Sequence, residues 1–386
     1  MSGIAGTKSS LNWAVHISVA LLVALWVFPT LGLFISSFRT ADQIASSGWW
    51  GALSPAEQVI QLRTGGREAA TLEGDLYVVE GNLLADGEDA PGADTNISAF
   101  GTSSRAVGAY QIGETGEAGD GEELTLNADG TYRYTSVEEP GRRGQRVFVT
   151  AEVPPEFTTD NYSTILFSGS GQDNMAKAFF NTLTVTIPAT IIPIVIAAFA
   201  AYALAWMEFP GRALLIALVV GLLVVPLQLA LIPLLKLHLG IGIGKGYLGV
   251  WLAHTGFGMP LAIYLLRNYM VGLPRDIIEN AKVDGATDFQ IFTKIVLPLS
   301  FPALAAFSIF QFLWTWNDLL VAKVFLIDST GSTTVMTNQI VELLGTRGGN
   351  WEILATAAFV SIAVPLAVFF AMQRYLVRGL LAGSVK

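Results

Sequence analysis

Six stretches of this chain are long and apolar enough to cross a bilayer, each about 20 residues or more. They run Leu11–Phe38, Phe179–Trp206, Leu214–Leu235, Gly249–Tyr269, Phe301–Ile327 and Ile353–Tyr375. Buried helices of soluble proteins are usually shorter, so six such runs predict an all-α polytopic membrane protein with six transmembrane helices. Composition agrees, with 52% hydrophobic residues, 14% charged residues and a mean hydropathy of +0.52. The first stretch is too long for a signal-peptide core and no clean small-residue cleavage site follows it. It is therefore expected to stay as a first span.

Charge is divided unevenly along the chain. Between Arg39 and Lys177 there are 9 Lys/Arg against 22 Asp/Glu, a net of −13, whereas the remainder carries 13 against 9, or +4. Basic residues in short loops set orientation. With the N-terminus inside, Lys8, Arg212, Arg267, Arg275, Lys282, Lys294, Arg374, Arg378 and Lys386 are cytoplasmic, and only Lys236, Lys245 and Arg347 fall in short loops on the other side. Both termini are thus expected in the cytoplasm and the acidic segment outside. The expected divisions are residues 1–38 (N-terminus and first span), 39–177 (acidic insert and connector) and 178–386 (five further spans).

The insert alternates short β-type runs with turn signals: Leu76–Val79, Leu124–Leu126, Tyr132–Tyr134 and Val147–Thr150, with Asn127–Gly130 as a hairpin turn. These predict a small, β-rich extracytoplasmic domain. Asp86–Asp94 and Gly113–Glu123 are acidic and Gly-rich and read as mobile loops. Cysteine is absent, so this domain must rest on its core alone, and redox or thiolate–metal chemistry is excluded. The carboxylates show no metal-ligand spacing, and His16, His238 and His254 are scattered.

Several spans contain proline: Pro188, Pro193, Pro226, Pro233, Pro260, Pro302 and Pro365. Each removes a backbone donor, which is tolerated where a neighbouring helix satisfies the freed carbonyl. The fifth span also carries Trp314, Trp316, Asn317 and Asp318. A carboxylate at membrane depth is costly unless paired or wet. Together with Gln228, these residues read either as the lining of a translocation path or as helix–helix glue.

Between the fourth and fifth spans lies a charged, amphipathic segment, residues 274–298. Pro274 suits a helix's first turn, and Asp276 favours the positive end of its dipole. Asp284–Gly285 is a turn signal, and Thr287 with Gln290 forms a capping box for a second short helix. The product is a helix–turn–helix along the cytoplasmic surface, which either rests on lipid headgroups or is gripped by a soluble partner.

Glu279–Pro298, ENAKVDGATDFQIFTKIVLP, resembles the EAA loop of the membrane subunits of binding-protein-dependent ABC importers. That pattern is Glu, two small residues, Gly, then Ile-x-Leu-Pro after nine residues. Glu279, Ala281, Gly285, Ile295, Leu297 and Pro298 occupy its positions, and Asn280 departs from it where Ala is usual. The resemblance implies a type I importer fold in which this loop docks into the ATPase, with Glu279 and Gly285 as docking contacts. The tail from Gln373 to Lys386 is similar to that of the smaller maltose-type permeases, implying that Gln373, Arg374, Gly379 and Gly383 also meet the ATPase pair. The alternative for the tail is a basic anchor. In the same relatives the loop corresponding to Asp328–Glu352 probes the sugar-binding protein. That gives Gly345, Thr346, Gly348 and Gly349 a receptor-probing role, against a plain connector.

The fragments GWW, NTLTVTIPATIIP and FLWTWNDLLVAKVFL resemble the alpha-glucoside branch, as does an insert of this size. The expectation is a non-enzymatic permease subunit for sugars such as maltose, sucrose or trehalose in a bacterial inner membrane. Its expected partners are a second permease, an ATPase dimer and an extracytoplasmic sugar-binding protein, with no nucleic acid. The segment Gly240–Gly246 lacks the spacing and the Ser/Thr of a phosphate loop, so ATP and Mg belong to the partner, and this chain holds no cofactor or metal. The rival classes are an ion-coupled secondary transporter and a membrane-anchored extracytoplasmic sensor.

Overall fold

A computed structural model of the protein describes residues 10–85, 95–167, 175–327, 329–346 and 349–381. The chain forms two compact units, Met1–Asn161 with Asn350–Glu352, and Tyr162–Gly349 with Ile353–Lys386.

The first unit opens with helix α1 (Ser10–Ser36), whose Leu21, Leu22, Leu25, Trp26 and Leu31 are exposed, as a span facing lipid requires. Gly32 admits the Trp49 indole, since a Cβ there would lie 2.7 Å from Trp49 Nε1, and Phe28 meets the same ring at 4.4 Å. The buried Arg39 donates to Gln43 O, Ser47 O and Ser47 Oγ across the short helix α2 (Ala41–Ser46). Asn161 Nδ2 donates to the carbonyls of Ser37 and Arg39. These bonds tie the entrance and exit of the insert to the end of α1.

Nine antiparallel strands form the insert among the described residues. They are β1 (Ala56–Arg63), β2 (Thr71–Glu73), β3 (Leu76–Asn82), β4 (Asn96–Gly101), β5 (Tyr110–Gln111), β6 (Thr115–Gly119), β7 (Glu122–Leu126), β8 (Thr131–Ser136) and β9 (Arg146–Val153). They pair as sheets β1-β9-β4-β5 and β2-β3-β8-β7-β6. Alternation supplies one shared core: Val79, Phe100, Leu124, Leu126, Val147, Val149 and Ala151 are fully buried. The four runs expected from the sequence lie in β3, β7, β8 and β9, and Asn127–Gly130 closes the β7–β8 turn with Gly130 at φ 83°. One expectation is corrected. Residues 115–119 and 122–123, read as part of a mobile loop, are strand β6 and the start of β7, which pair with each other. Gly116 is small there because the Tyr110 ring packs over it, 2.5 Å from where a Cβ would sit. The other expected loop, residues 86–94, lies outside the described residues.

The second unit is helical. It comprises α3 (Asp160–Phe167), α4 (Met175–Trp206), α5 (Arg212–Leu222), α6 (Leu227–Gly240), α7 (Tyr247–Val271), α8 (Arg275–Val283), α9 (Asp288–Ile291), α10 (Leu297–Leu299), α11 (Phe301–Trp316), α12 (Leu320–Phe325), α13 (Met336–Thr346) and α14 (Trp351–Leu381). Among the described residues, α1, α4, α7 and α14 are each long and apolar enough to cross a membrane unbroken. The third expected span is instead two helices, α5 and α6, bent by 111°, and the segment Asp288–Leu299 meets α11 at 70°. Pro226 explains the first break: it donates no N–H and disfavours helix in the residue before it. The fifth expected span stops at Trp316 and resumes as α12. Among the described residues four helices are continuous candidate spans, or six if each bent pair counts as one. The expected loop after it contains the helix α13, whose Met336 and Leu343 enter a core with Trp316 and Ile353.

Three of the prolines inside the helices are matched by side chains from other helices. Pro188, Pro193 and Pro365 leave the carbonyls of Thr184, Ala189 and Ser361 without their usual helical donors. Trp251 Nε1 donates to Thr184 O at 2.9 Å, Gln311 Nε2 to Ala189 O at 3.1 Å, and Trp316 Nε1 to Ser361 O at 2.9 Å. Three helix pairs are thereby latched at sites the prolines create. Trp316→Phe should leave the Ser361 carbonyl unpaired at a cost of about 1–3 kcal/mol. In detergent that should lower the thermal midpoint by roughly 2–4 °C for each kcal/mol, as read by a thermal-shift scan.

Candidate functional site

The segment between α7 and α11 has two faces of opposite character. Helix α8 turns its buried Ile278 inward, while Glu279, Lys282, Val283 and Asp284 are exposed. Gly285 ends the helix at φ 79°, a conformation that disfavours a side chain, and its amide donates to Lys282 O. Thr287 then opens α9 through the expected capping box: its Oγ1 accepts from Gln290 N, and Gln290 Oε1 accepts from Thr287 N at 2.9 Å. A wide π-helical turn, Phe292–Val296, follows and leads into Pro298. Asn280 is exposed, Ala281, Ile295 and Leu297 are half-buried, and Pro298 is exposed.

Inward, Ile278, Ile291, Phe292 and Val296 join one core with Ala198, Ala201 and Tyr202 of α4, Leu266 and Met270 of α7, and Phe307 of α11. The Phe292 ring lies 4.6 Å from Phe199 and 5.3 Å from Tyr202, and Tyr202 Oη donates to Asp288 Oδ1 at 3.1 Å. Outward, Val283 is 87% exposed and Phe289 65%, among charges of both signs. Large apolar side chains left bare within a polar rim mark a partner surface. The segment can therefore pass a displacement from an outer contact into three spans at once.

A second constellation lies at the bend between α5 and α6. A cavity of about 600 Å3 is bounded there by Gln228, Trp314 and Asp318, all expected from the sequence, and by His254, Gln311 and Thr315, which were not. Gln311, Thr315 and Asp318 are spaced i, i+4, i+7, one helical face, and that stripe was the signal available in the sequence. Asp318 meets its burial cost by capping α12: its carboxylate accepts from Val321 N at 3.3 Å and Ala322 N at 3.0 Å. Asn317 donates to Leu313 O within its own helix and borders a shallower pocket beside Trp314. Trp316 turns away from this space, 1% exposed, stacked on Phe312 and latched to Ser361.

The remaining predicted positions lie elsewhere. Gln373 and Arg374 are exposed on α14, where Arg374 donates to Tyr375 Oη and lies over its own neighbour's ring at 4.7 Å. Gly379 falls within α14, and Gly383 lies outside the described residues. Gly345 and Thr346 end α13, Gly349 is exposed after it, and Gly348 lies outside the described residues.

Residues 172–381 match the family described as the binding-protein-dependent transport system inner membrane component. The chain belongs to that family. Its membership makes it a membrane-embedded permease subunit rather than an enzyme, and separates it from ion-coupled carriers and anchored sensors. Among its relatives is the alpha-glucoside transport system permease protein AglG of Rhizobium meliloti, 59% identical over 385 residues, 98% of each chain. The osmoprotective compounds uptake permease protein GgtD of Synechocystis is 57% identical over 231 residues, 60% of this chain and 76% of that protein. The trehalose transport system permease protein SugB of Mycobacterium tuberculosis is 35% identical over 239 residues, 61% of this chain and 84% of that one. The similarity to AglG thus runs through the β-insert as well as the helical unit.

Proposed function

We propose that this permease imports neutral alpha-glucosides such as maltose, sucrose or trehalose. The observation that carries the reading is the 59% identity to an alpha-glucoside permease along 98% of both chains. Six spans cross the inner membrane, counting each bent pair as one, with both termini cytoplasmic and the β-insert outside. The excess of basic residues in the predicted inner loops supports that orientation.

A dimer of ATPase subunits, which holds ATP and Mg, docks on the bare outer face of α8 and α9, with Glu279 and Gly285 at the contact. Exposed Gln373 and Arg374, with Gly379 and Gly383 beyond, give the ATPases a second hold. Closure of the ATPases pushes the α8–α9 segment, and its welded inner face swings α4, α7 and α11. A second permease subunit completes the path, to which Gln228, Trp314, Asn317 and Asp318 contribute from this side. Outside, Gly345 and Thr346 at the end of α13, with Gly348 and Gly349 after them, probe a docked sugar-binding protein. No bond in the sugar is broken.

Expression with its partner subunits in cells lacking alpha-glucoside uptake tests the reading. A stoichiometric ATP-binding subunit should co-purify, and labelled maltose, sucrose or trehalose should enter only with the binding protein present. Uptake without an ATP-binding partner, or failure of all three sugars, would refute it.

A further inference from the structure

The cavity at the α5–α6 bend contains more unmet polarity than a passive wall requires. Among the described residues, Gln311 Oε1, Thr315 Oγ1 and His254 Nε2 are buried with no hydrogen-bond partner in the chain, and these residues are only 2%, 3% and 7% exposed. His254 Nε2 stands 3.7 Å from Asp318 Oδ2, beyond hydrogen-bond reach. Buried polar groups are almost always paired, so several unpaired atoms around one space point to a ligand. The Gln311 amide is held in place: its Nε2 is committed to Ala189 O, and Gly258 leaves room for its Oε1, which a Cβ would approach to 2.5 Å. Its carbonyl is thereby left as a buried, unused acceptor beside Gly258. Pro260 cannot donate to the carbonyl of Gly256, which borders the same cavity.

The donor set selects the ligand class. One amide oxygen, one hydroxyl, one imidazole and one carboxylate already bound to two backbone amides bring few charges to the cavity, and no group of three His/Cys/Asp/Glu that could hold a metal ion occurs among the described residues. These groups suit a neutral molecule whose hydroxyls both donate and accept. Trp314 and Phe257 give the walls aromatic faces, and leucines such as Leu223 give apolar ones, for the C–H faces of a sugar ring. A volume of about 600 Å3 lies within the range of roughly 300–1,000 Å3 typical of small-molecule sites.

We propose that this subunit carries its own saccharide-binding site, in which Gln311, Thr315 and His254 hydrogen-bond sugar hydroxyls and Trp314 covers a ring face. The proposal rests on the sugar-importer reading and goes beyond it, since a path need only let solute pass, whereas this site holds it.

The absence of cysteine allows a direct test on the complete transporter. Leu223→Cys places one thiol on the cavity wall, and its alkylation is followed by mass spectrometry of this chain. Maltose should slow labelling at least tenfold, and Gln311→Leu or Thr315→Val should abolish that protection in transporters that still co-purify with their ATP-binding subunit. Unprotected labelling in a transporter that still imports maltose would overturn the site and leave the importer reading standing. Protection that survives both variants would equally overturn the assignment of these residues. Absence of uptake for maltose, sucrose and trehalose alike would remove both.

Discussion

Glu279→Lys is expected to abolish sugar uptake while leaving the protein in the membrane at its normal level. Glu279 is exposed on α8 and belongs to no buried cluster, so the fold does not depend on it. Its neighbour Ile278 is 1% exposed and anchors the helix to α4 and α7, which fixes the direction in which Glu279 projects. Losing one partner of a hydrogen-bonded charge pair buried at an interface costs about 2–5 kcal/mol, and reversing its sign adds repulsion. At about 1.4 kcal/mol per tenfold, the ATPase should bind at least roughly 30-fold more weakly. The check is a pull-down of the ATP-binding subunit together with uptake in the same membranes. Normal uptake would remove Glu279 from the docking contact.

How that segment is built was largely visible in the sequence because its signals are local. Thr287 and Gln290 cap a helix wherever they occur three apart before an apolar run, and Asp284–Gly285 ends one for equally short-range reasons. The four longest spans were legible because hydropathy summed over some 20 residues tolerates small errors. That same summation concealed the breaks. Leu222 to Leu227 is apolar throughout, so the bend depends on Pro226 alone, and the stop after Trp316 depends on Asp318 finding amides to cap. The latches on Thr184, Ala189 and Ser361 follow the proline rule, but which side chain reaches each carbonyl is set by tertiary packing. Gln311 was passed over for that reason. A lone Gln in an apolar span reads as glue, and one end of it is glue. His254 looked isolated because its neighbours are 57 and 64 residues away in sequence. Strand β6 was hidden by glycines and carboxylates that disfavour strands on average but fit an edge paired on one side.

Phe292→Ala should separate two events that Glu279→Lys removes together. Phe292 is 3% exposed, wedged between Phe199 and Tyr202 at the start of the π-helical turn. Truncating a buried phenylalanine costs about 3–5 kcal/mol. Here that loss falls on the joint between the α8–α9 segment and α4. The outer face of Glu279, Val283 and Phe289 is untouched, so the ATPase should still bind and still hydrolyse ATP. A loosened joint absorbs the push instead of passing it on, and the sugar carried per ATP should fall severalfold. Tyr202→Phe supplies a milder case, removing only the bond to Asp288 at about 1 kcal/mol. A graded loss of coupling across Tyr202→Phe and Phe292→Ala, measured as uptake against phosphate release in proteoliposomes, would place the mechanical link at this aromatic seam. An unchanged ratio in Phe292→Ala would move it elsewhere, because the contacts of Phe292 with Phe199 and Tyr202 form the aromatic joint between the segment and α4.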